Sequence, residues 1–170
     1  MKTILTTTVI LFFSIATCLG QTLNSTSSID YFGNTNTTYS NGYGETVARS
    51  TTSTDYFGND NTKYYDNTGG VIGSSTSSVD YFGNTNTTVQ DAYGARVGTS
   101  TGSTDYFDNY NVNYYNANGG SSGQSSSSID YFDNVNTIYT NSSGQQSGTT
   151  TGSYDYFGNY NSTTTYDPWK

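Results

Sequence analysis

The chain repeats itself every 25 residues, six times over residues 21–170, without an insertion or a deletion. Asp30, Asp55, Asp80, Asp105, Asp130 and Asp155 each open the run Asp-Tyr-Phe, followed by Gly or Asp, then Asn, one variable residue and a second Asn. An uninterrupted period of this length means that one supersecondary unit is built six times and that each copy packs on its neighbours. Any acceptable fold must therefore be periodic.

A second signal lies 11 residues after each of the first five aspartates: "NGYG" at 41, "DNTG" at 66, "DAYG" at 91, "NANG" at 116 and "NSSG" at 141. Asp or Asn, two residues, then Gly is the grammar of a type I turn whose first side chain caps the backbone and whose Gly takes the left-handed position. The "DYFG" run has the same form, so each unit should hold two hairpin turns. If Asn41 pairs with Glu45, Tyr39 faces Val47, and the same arithmetic pairs Tyr64 with Ile72 and Val89 with Val97. If Asp55 pairs with Asn59, Ser53 faces Asn61. Every equivalent pair is again Ser with Asn (Ser28 with Asn36, Ser78 with Asn86, Ser103 with Asn111, Ser128 with Asn136, Ser153 with Asn161).

The expected architecture is all-β: six tandem 25-residue repeats forming an antiparallel hairpin meander. Strands of about seven and about ten residues alternate, so each unit should advance by roughly three residues, about 10 Å, and the oblique sheet should coil as a ribbon, barrel or shell. Even units carry Tyr64-Tyr65 and Tyr114-Tyr115 where odd units carry a single Tyr39, Val89 or Tyr139, which suggests a 50-residue geometric step. The chain stops at "YDPWK", where Pro168 and Lys170 suit a protected last edge. A β-solenoid with one repeat per coil is the alternative. It would stack six aspartates at about 4.8 Å, where like charges repel.

The alternation of turns and short Thr-rich strands, as in "TKYYDNTGGVIG" and "STDYFGND", resembles the tyrosine-aspartate (YD) repeats of Rhs-type proteins. That resemblance implies antiparallel hairpin strips that spiral into shells. It lies in turn grammar alone, because in this chain Tyr follows the Asp and no toxin domain follows. The Ser, Gly and Asn-rich composition also resembles curli-type secreted repeat subunits, although their regularly spaced glutamines are missing here.

Residues 1–20 read as a secretory signal: Lys2, an apolar run from Val9 to Ile15, then small residues to Gly20, with Cys18 and Gly20 three and one places before the cleavage point. Acylation of Cys18 is the rival reading, with Thr17 a poor preceding residue. Residues 21–170 then form a single repeat domain. Cleavage removes the only Cys and leaves 13 acidic residues against Arg49, Arg96, Lys63 and Lys170. An acidic chain without a basic patch is a poor partner for nucleic acid, and no later apolar run is long enough for membrane insertion as a helix.

Chemistry is correspondingly sparse. With no His and no Cys in residues 21–170, neither a nucleophile–base pair nor a zinc site can be assembled. Asp105 with Asp108, and Asp130 with Asp133, could in principle flank a sugar bond, but Asp108 and Asp133 more simply replace the turn glycine. Calcium is the one cofactor the Asp and Asn runs could bind, yet turn capping explains the same residues without a metal. No catalytic, cofactor-binding or metal residues are assigned.

The aromatic pairs remain: Tyr31 and Phe32, Tyr56 and Phe57, Tyr81 and Phe82, Tyr106 and Phe107, Tyr131 and Phe132, Tyr156 and Phe157. Few aliphatic residues follow position 20, which favours folding these rings back over a thin sheet as core. Alternatively they project from the hairpin ends as a row about 10 Å apart, a surface for self-association, an extracellular polysaccharide or another surface. The functional expectation is a secreted, non-enzymatic structural or adhesive repeat protein of the matrix or cell surface. The alternative is a carbohydrate-binding module using the same row.

Overall fold

A computed structural model describes residues 22–167. The proposed signal segment, and Pro168 and Lys170 of the chain end, lie outside the described residues. Each unit contributes two antiparallel strands: β1 (Thr22–Ile29) and β2 (Thr35–Asn41), β3 (Thr46–Thr54) and β4 (Asp60–Asp66), β5 (Val71–Val79) and β6 (Thr85–Asp91), β7 (Arg96–Thr104) and β8 (Tyr110–Asn116), β9 (Ser121–Ile129) and β10 (Val135–Asn141), β11 (Gln146–Tyr154) and β12 (Tyr160–Tyr166). Every strand pairs with its neighbours in sequence, and β12 pairs with β1, closing a twelve-stranded barrel. The coiled antiparallel meander expected from the repeat is therefore present as its closed form. Since β12 is paired on both sides, the expected protected last edge is absent from the described strands.

Both turn types fold as their sequences require. In "DYFG" the Asp30 N–H donates to the Asn34 carbonyl and the Gly33 N–H to the Asp30 carbonyl, and Asn41, Gly44 and Glu45 repeat the arrangement. The left-handed position is filled by Gly except at Asp108 and Asp133, both at φ 62°, where Asp indeed stands in for the turn glycine. A side chain there costs about 1 kcal/mol. Replacing Asp108 or Asp133 with Gly should stabilise the barrel by about that amount each, raising the thermal midpoint by about 2–4 °C in a domain of this size.

The Asn residues that recur in each unit hold the turn and join the strands. Asp30 Oδ1 accepts from the Phe32 and Asn34 N–H groups, while Oδ2 accepts from the side-chain amides of Asn34 and Asn36. Asn36 Oδ1 in turn accepts from Thr51 on the next strand at 2.8 Å. At the closing seam Thr26 donates to Asn161 Oδ1 at 2.8 Å, the same bond 125 residues on, so closure uses the joint that links successive units. Ser28 does face Asn36, and Ser53 faces Asn61, as the turn arithmetic required.

The other register expectation fails. Tyr39 pairs with Ala48 and Ser40 with Thr46, leaving Val47 as the extra residue of a β-bulge. Likewise Tyr64 faces Gly73 instead of Ile72, and Val89 faces Gly98 instead of Val97. The bulge has a large consequence. From Ser27 the ladder passes through Thr37 to Ser50, the counterpart of Ser25, so a unit advances by two residues, not three. An odd advance would turn equivalent residues to opposite faces in successive units, because side chains alternate with period two. The even advance keeps every unit in the same orientation, and the expected 50-residue geometric step does not exist. Two residues of slide, about 7 Å, across about 10 Å of sheet tilts the strands by about 35°.

The interior is lined by hydroxyls and tyrosines. Ser27 bonds Thr37, Ser77 bonds Thr87 and Ser127 bonds Thr137, each at 2.8 Å. Below them Tyr39, Tyr64 and Tyr114 reach Ser50, Ser75 and Ser125 on the next strand at 3.2, 3.2 and 2.8 Å. Each such bond contributes about 1 kcal/mol net. Val89 occupies the corresponding place one unit later and cannot donate, and the Ser100 hydroxyl opposite is left without a partner. Small residues (Ala48, Gly73, Gly98, Gly123, Gly148) stand opposite Tyr39, Tyr64, Val89, Tyr114 and Tyr139 on the next strand. The core is thus made of strand tyrosines and not of the turn aromatics.

Candidate functional site

Six "DYF" hairpins lie at one end of the barrel. Tyr31, Tyr56, Tyr81, Tyr106, Tyr131 and Tyr156 are 95–97% exposed, and Phe32, Phe57, Phe82, Phe107, Phe132 and Phe157 are 79–85% exposed. The expectation that these rings fold back as core is therefore overturned. They occupy the two apical positions of a turn whose backbone is pinned from beneath by the Asp carboxylate, so their side chains point away from the strands. Within each pair the rings meet edge to face, with centroids 5.5–5.6 Å apart and planes at 82–85°. This arrangement matches the ring quadrupoles and fixes each pair as a unit.

Closure converts the expected row into a crown. Twelve strands at about 4.8 Å, tilted by about 35°, give a circumference of about 70 Å and a diameter of about 22 Å, with one Tyr-Phe pair every 12 Å or so along the rim. Twelve rings at roughly 150–200 Å² each place about 2,000 Å² of aromatic surface on one rim, divided into six patches of a few hundred Å² each. Among the described residues the opposite rim carries two exposed aromatics, Tyr43 and Tyr93, and the first described strand starts and the last one finishes there.

The turn carboxylates do not present themselves to a cation, since both oxygens of Asp55, for example, face N–H donors. Those hydrogen bonds, the side-chain amide of Asn59 foremost, hold the Asp55 carboxyl below its ordinary value of 3.8, and Asp30, Asp80, Asp105, Asp130 and Asp155 are lowered in the same way by Asn34, Asn84, Asn109, Asn134 and Asn159. A lowered carboxylate supports the fold above its ordinary value and loses that support as pH falls through the depressed one, so the turns should hold down to about pH 4.

The interior phenols behave oppositely. Burial pushes Tyr64 and Tyr114 far above the ordinary value of 10.0, raises Tyr139, and lifts Tyr160 to about 12, where Tyr139 and Tyr154 add to the effect. A raised phenol stabilises the fold fully below pH 10, and that contribution is lost as pH rises through the folded value. The barrel should unfold cooperatively on the alkaline side, above about pH 10. Absorbance at 295 nm should show the ionisation of these four phenols coinciding with the loss of β-sheet circular dichroism. Ionisation of all tyrosines with the β-signal intact would contradict the buried hydroxyl layer.

Above that layer, a cavity of about 570 Å³ opens towards the crown between β1, β2, β3, β4, β11 and β12. Asp60, 4% exposed, lies in its wall. Sequence reasoning passed over this residue. The signal was there: at the same place in the other units stand Thr35, Thr85, Tyr110, Val135 and Tyr160, so Asp60 is the one carboxylate in that register.

Fold and site together define a closed antiparallel β-barrel of hairpin repeats with an aromatic crown on one rim. No protein-family model matches the chain, and no curated protein is similar enough to be matched to it.

Proposed function

We propose that the chain is a secreted, non-enzymatic adhesion module of an extracellular matrix or cell surface, and that the crown is its adhesive face. The observation that carries this reading is the exposure of all twelve turn aromatics in one repeated geometry on one rim. Solvent exposure of so much ring surface costs free energy in the isolated molecule, and that cost is removed when the rings are covered. Six weak contacts on a rigid ring act as a multivalent surface, suited to a partner that is itself repetitive.

Self-association is the first partner we assign. A closed barrel offers no free strand edge, so copies do not join by edge pairing and must meet through their rims. The outer wall is mainly Thr, Asn and Ser with Arg49, Lys63 and Arg96, and with scattered exposed apolar side chains such as Val97 and Ile138, a largely water-facing surface without the continuous apolar band of a membrane barrel. The second reading, a carbohydrate-binding module, is favoured by the same rings, since sugar faces stack on aromatic side chains.

Residues 21–170, purified and sedimented across a wide concentration range, should form oligomers that dissociate on dilution. A chain that stays monomeric at high concentration yet is retained by an insoluble polysaccharide would replace the matrix reading with the carbohydrate one. A monomer retained by neither polysaccharide nor apolar surface would remove both.

A further inference from the structure

A repeat this strict makes its departures informative. Asp60 sits where two other units place Thr35 and Thr85, yet it is a carboxylate, 4% exposed, at the wall of the 570 Å³ cavity. Thr54 donates to its Oδ1 at 2.7 Å. A single hydroxyl does not neutralise a buried charge, which ordinarily requires a cationic partner. Among the described residues the cations are Arg49, Lys63 and Arg96, and all three are exposed on the outside of the barrel. None of the described cations reaches Asp60 to complete it.

The rest of the wall says what kind of charge. Tyr39, Tyr64, Tyr154 and Tyr160 line the same cavity, and the rings of Tyr154 and Tyr160 lie 5.1 Å apart at 58°. A bare calcium or magnesium ion needs six or more oxygen ligands close around it, with carboxylates foremost, whereas a single carboxylate with four tyrosines among Ser and Thr hydroxyls in a space of this size suits an organic ammonium group, held by charge and by aromatic contact. A volume of 570 Å³ falls within the range of about 300–1,000 Å³ typical of small-molecule sites. On this side β2 and β4 carry the small Thr35 and the Asp60 carboxylate where β8 and β12 carry Tyr110 and Tyr160 at the equivalent position.

We infer that the crown-side mouth of the lumen is a binding site for a small organic cation, with Asp60 as its counter-ion and the tyrosines as its aromatic wall. The site is distinct from the adhesive rings, since Asp60 and the tyrosines line the barrel interior, with Gly33 and Gly158 of two crown turns at its mouth, and the Tyr-Phe pairs are exposed to solvent.

The test is titration calorimetry of the full barrel with tetramethylammonium chloride, against sodium chloride at matched ionic strength and against glucose. Wild type should bind the ammonium saturably in the millimolar range, and Asp60→Asn and Asp60→Thr should each weaken it by about tenfold or more. Asp60→Thr copies the residue of two sibling units, so it keeps the fold, which thermal melting verifies. The variant with the crown aromatics replaced should bind the ammonium as wild type does. Absence of saturable binding beyond the sodium control, or wild-type affinity in Asp60→Thr, overturns the site. Glucose binding more tightly than the ammonium, and surviving Asp60→Thr, reassigns the cavity to neutral polyols and also overturns it.

Discussion

With all six Tyr-Phe pairs replaced by Ser-Ser, the barrel should remain folded and its adhesion should be lost. Each pair lies at the apex of a turn held by the Asp caps, by Gly or Asp in the left-handed position and by two Asn side chains, none of which is changed. The core, by contrast, is made of Tyr39, Tyr64, Val89, Tyr114 and their hydroxyl partners, which the replacement does not reach. Circular dichroism and the thermal midpoint should therefore change little, apart from the edge-to-face contribution of about 0.5–1.5 kcal/mol per pair, part of which is already lost to solvent at such exposure. Binding should fall far more steeply, because avidity over six sites multiplies. Replacing pairs singly should give a graded loss, and replacing three alternate pairs should remove most of the retention. A random-coil spectrum for the full replacement would return the rings to the core. Retention at wild-type level with an intact fold would end the adhesive role of the crown.

The second large effect lies inside the barrel. A side chain at Gly102 would run into the Tyr110 hydroxyl and lie 2.6 Å from ring carbon Cζ, and Gly152 stands in the same relation to Tyr160, with Cζ at 2.5 Å. Glycine occurs at this strand position only in the two units whose next strand begins with Tyr; elsewhere Ser27, Thr52, Ser77 and Ser127 precede Thr35, Asp60, Thr85 and Val135. Gly102→Thr should destabilise by about 1–3 kcal/mol through overpacking. Tyr110→Thr alone should cost about 2 kcal/mol by removing a half-buried ring, although part of that cost is offset because the buried Tyr110 hydroxyl has no partner. The double variant copies the pattern of the sibling units, so its cost should fall short of the summed single costs by about 1–2 kcal/mol, measured as a double-mutant cycle in denaturant. Strict additivity would mean that the ring leaves Gly102 when the side chain enters.

Much of this could be read from the residues. The period, the two turns per unit, the antiparallel meander and the Ser–Asn pairs all follow from interactions spanning five to ten positions, such as Asp55 with Asn59 or Ser53 with Asn61. The Gly102–Tyr110 and Gly152–Tyr160 coincidences were equally visible, as departures from the repeat. What misled was the assumption of an unbroken ladder after "NGYG", which placed Val47 opposite Tyr39. The glycines at 73, 98, 123 and 148 marked the true partner, since they recur at the position that stands opposite Tyr64, Val89, Tyr114 and Tyr139. Scarce aliphatics likewise suggested that the turn aromatics serve as core, because composition alone does not show that hydroxyls can fill a barrel once strand pairing brings them within bonding distance, as at Ser27 and Thr37.

By itself the sequence determined that six equal units would be made, that each would be a pair of hairpins, and that Tyr and Phe would stand together at one of its turns, because local hydrogen bonds decide all three. The tertiary structure decided the rest. One bulge per unit makes the advance even, so all six units face the same way, and twelve tilted strands then bring β12 back to β1 in the register that repeats the Thr–Asn joint. Only after that closure does a row of aromatics become a crown, and only then does Asp60 of β4 face Tyr154 and Tyr160 of the last unit across one cavity. Residues a hundred positions apart share a site because the ring closes, and closure is a property of all twelve strands together, which no stretch of 25 residues contains.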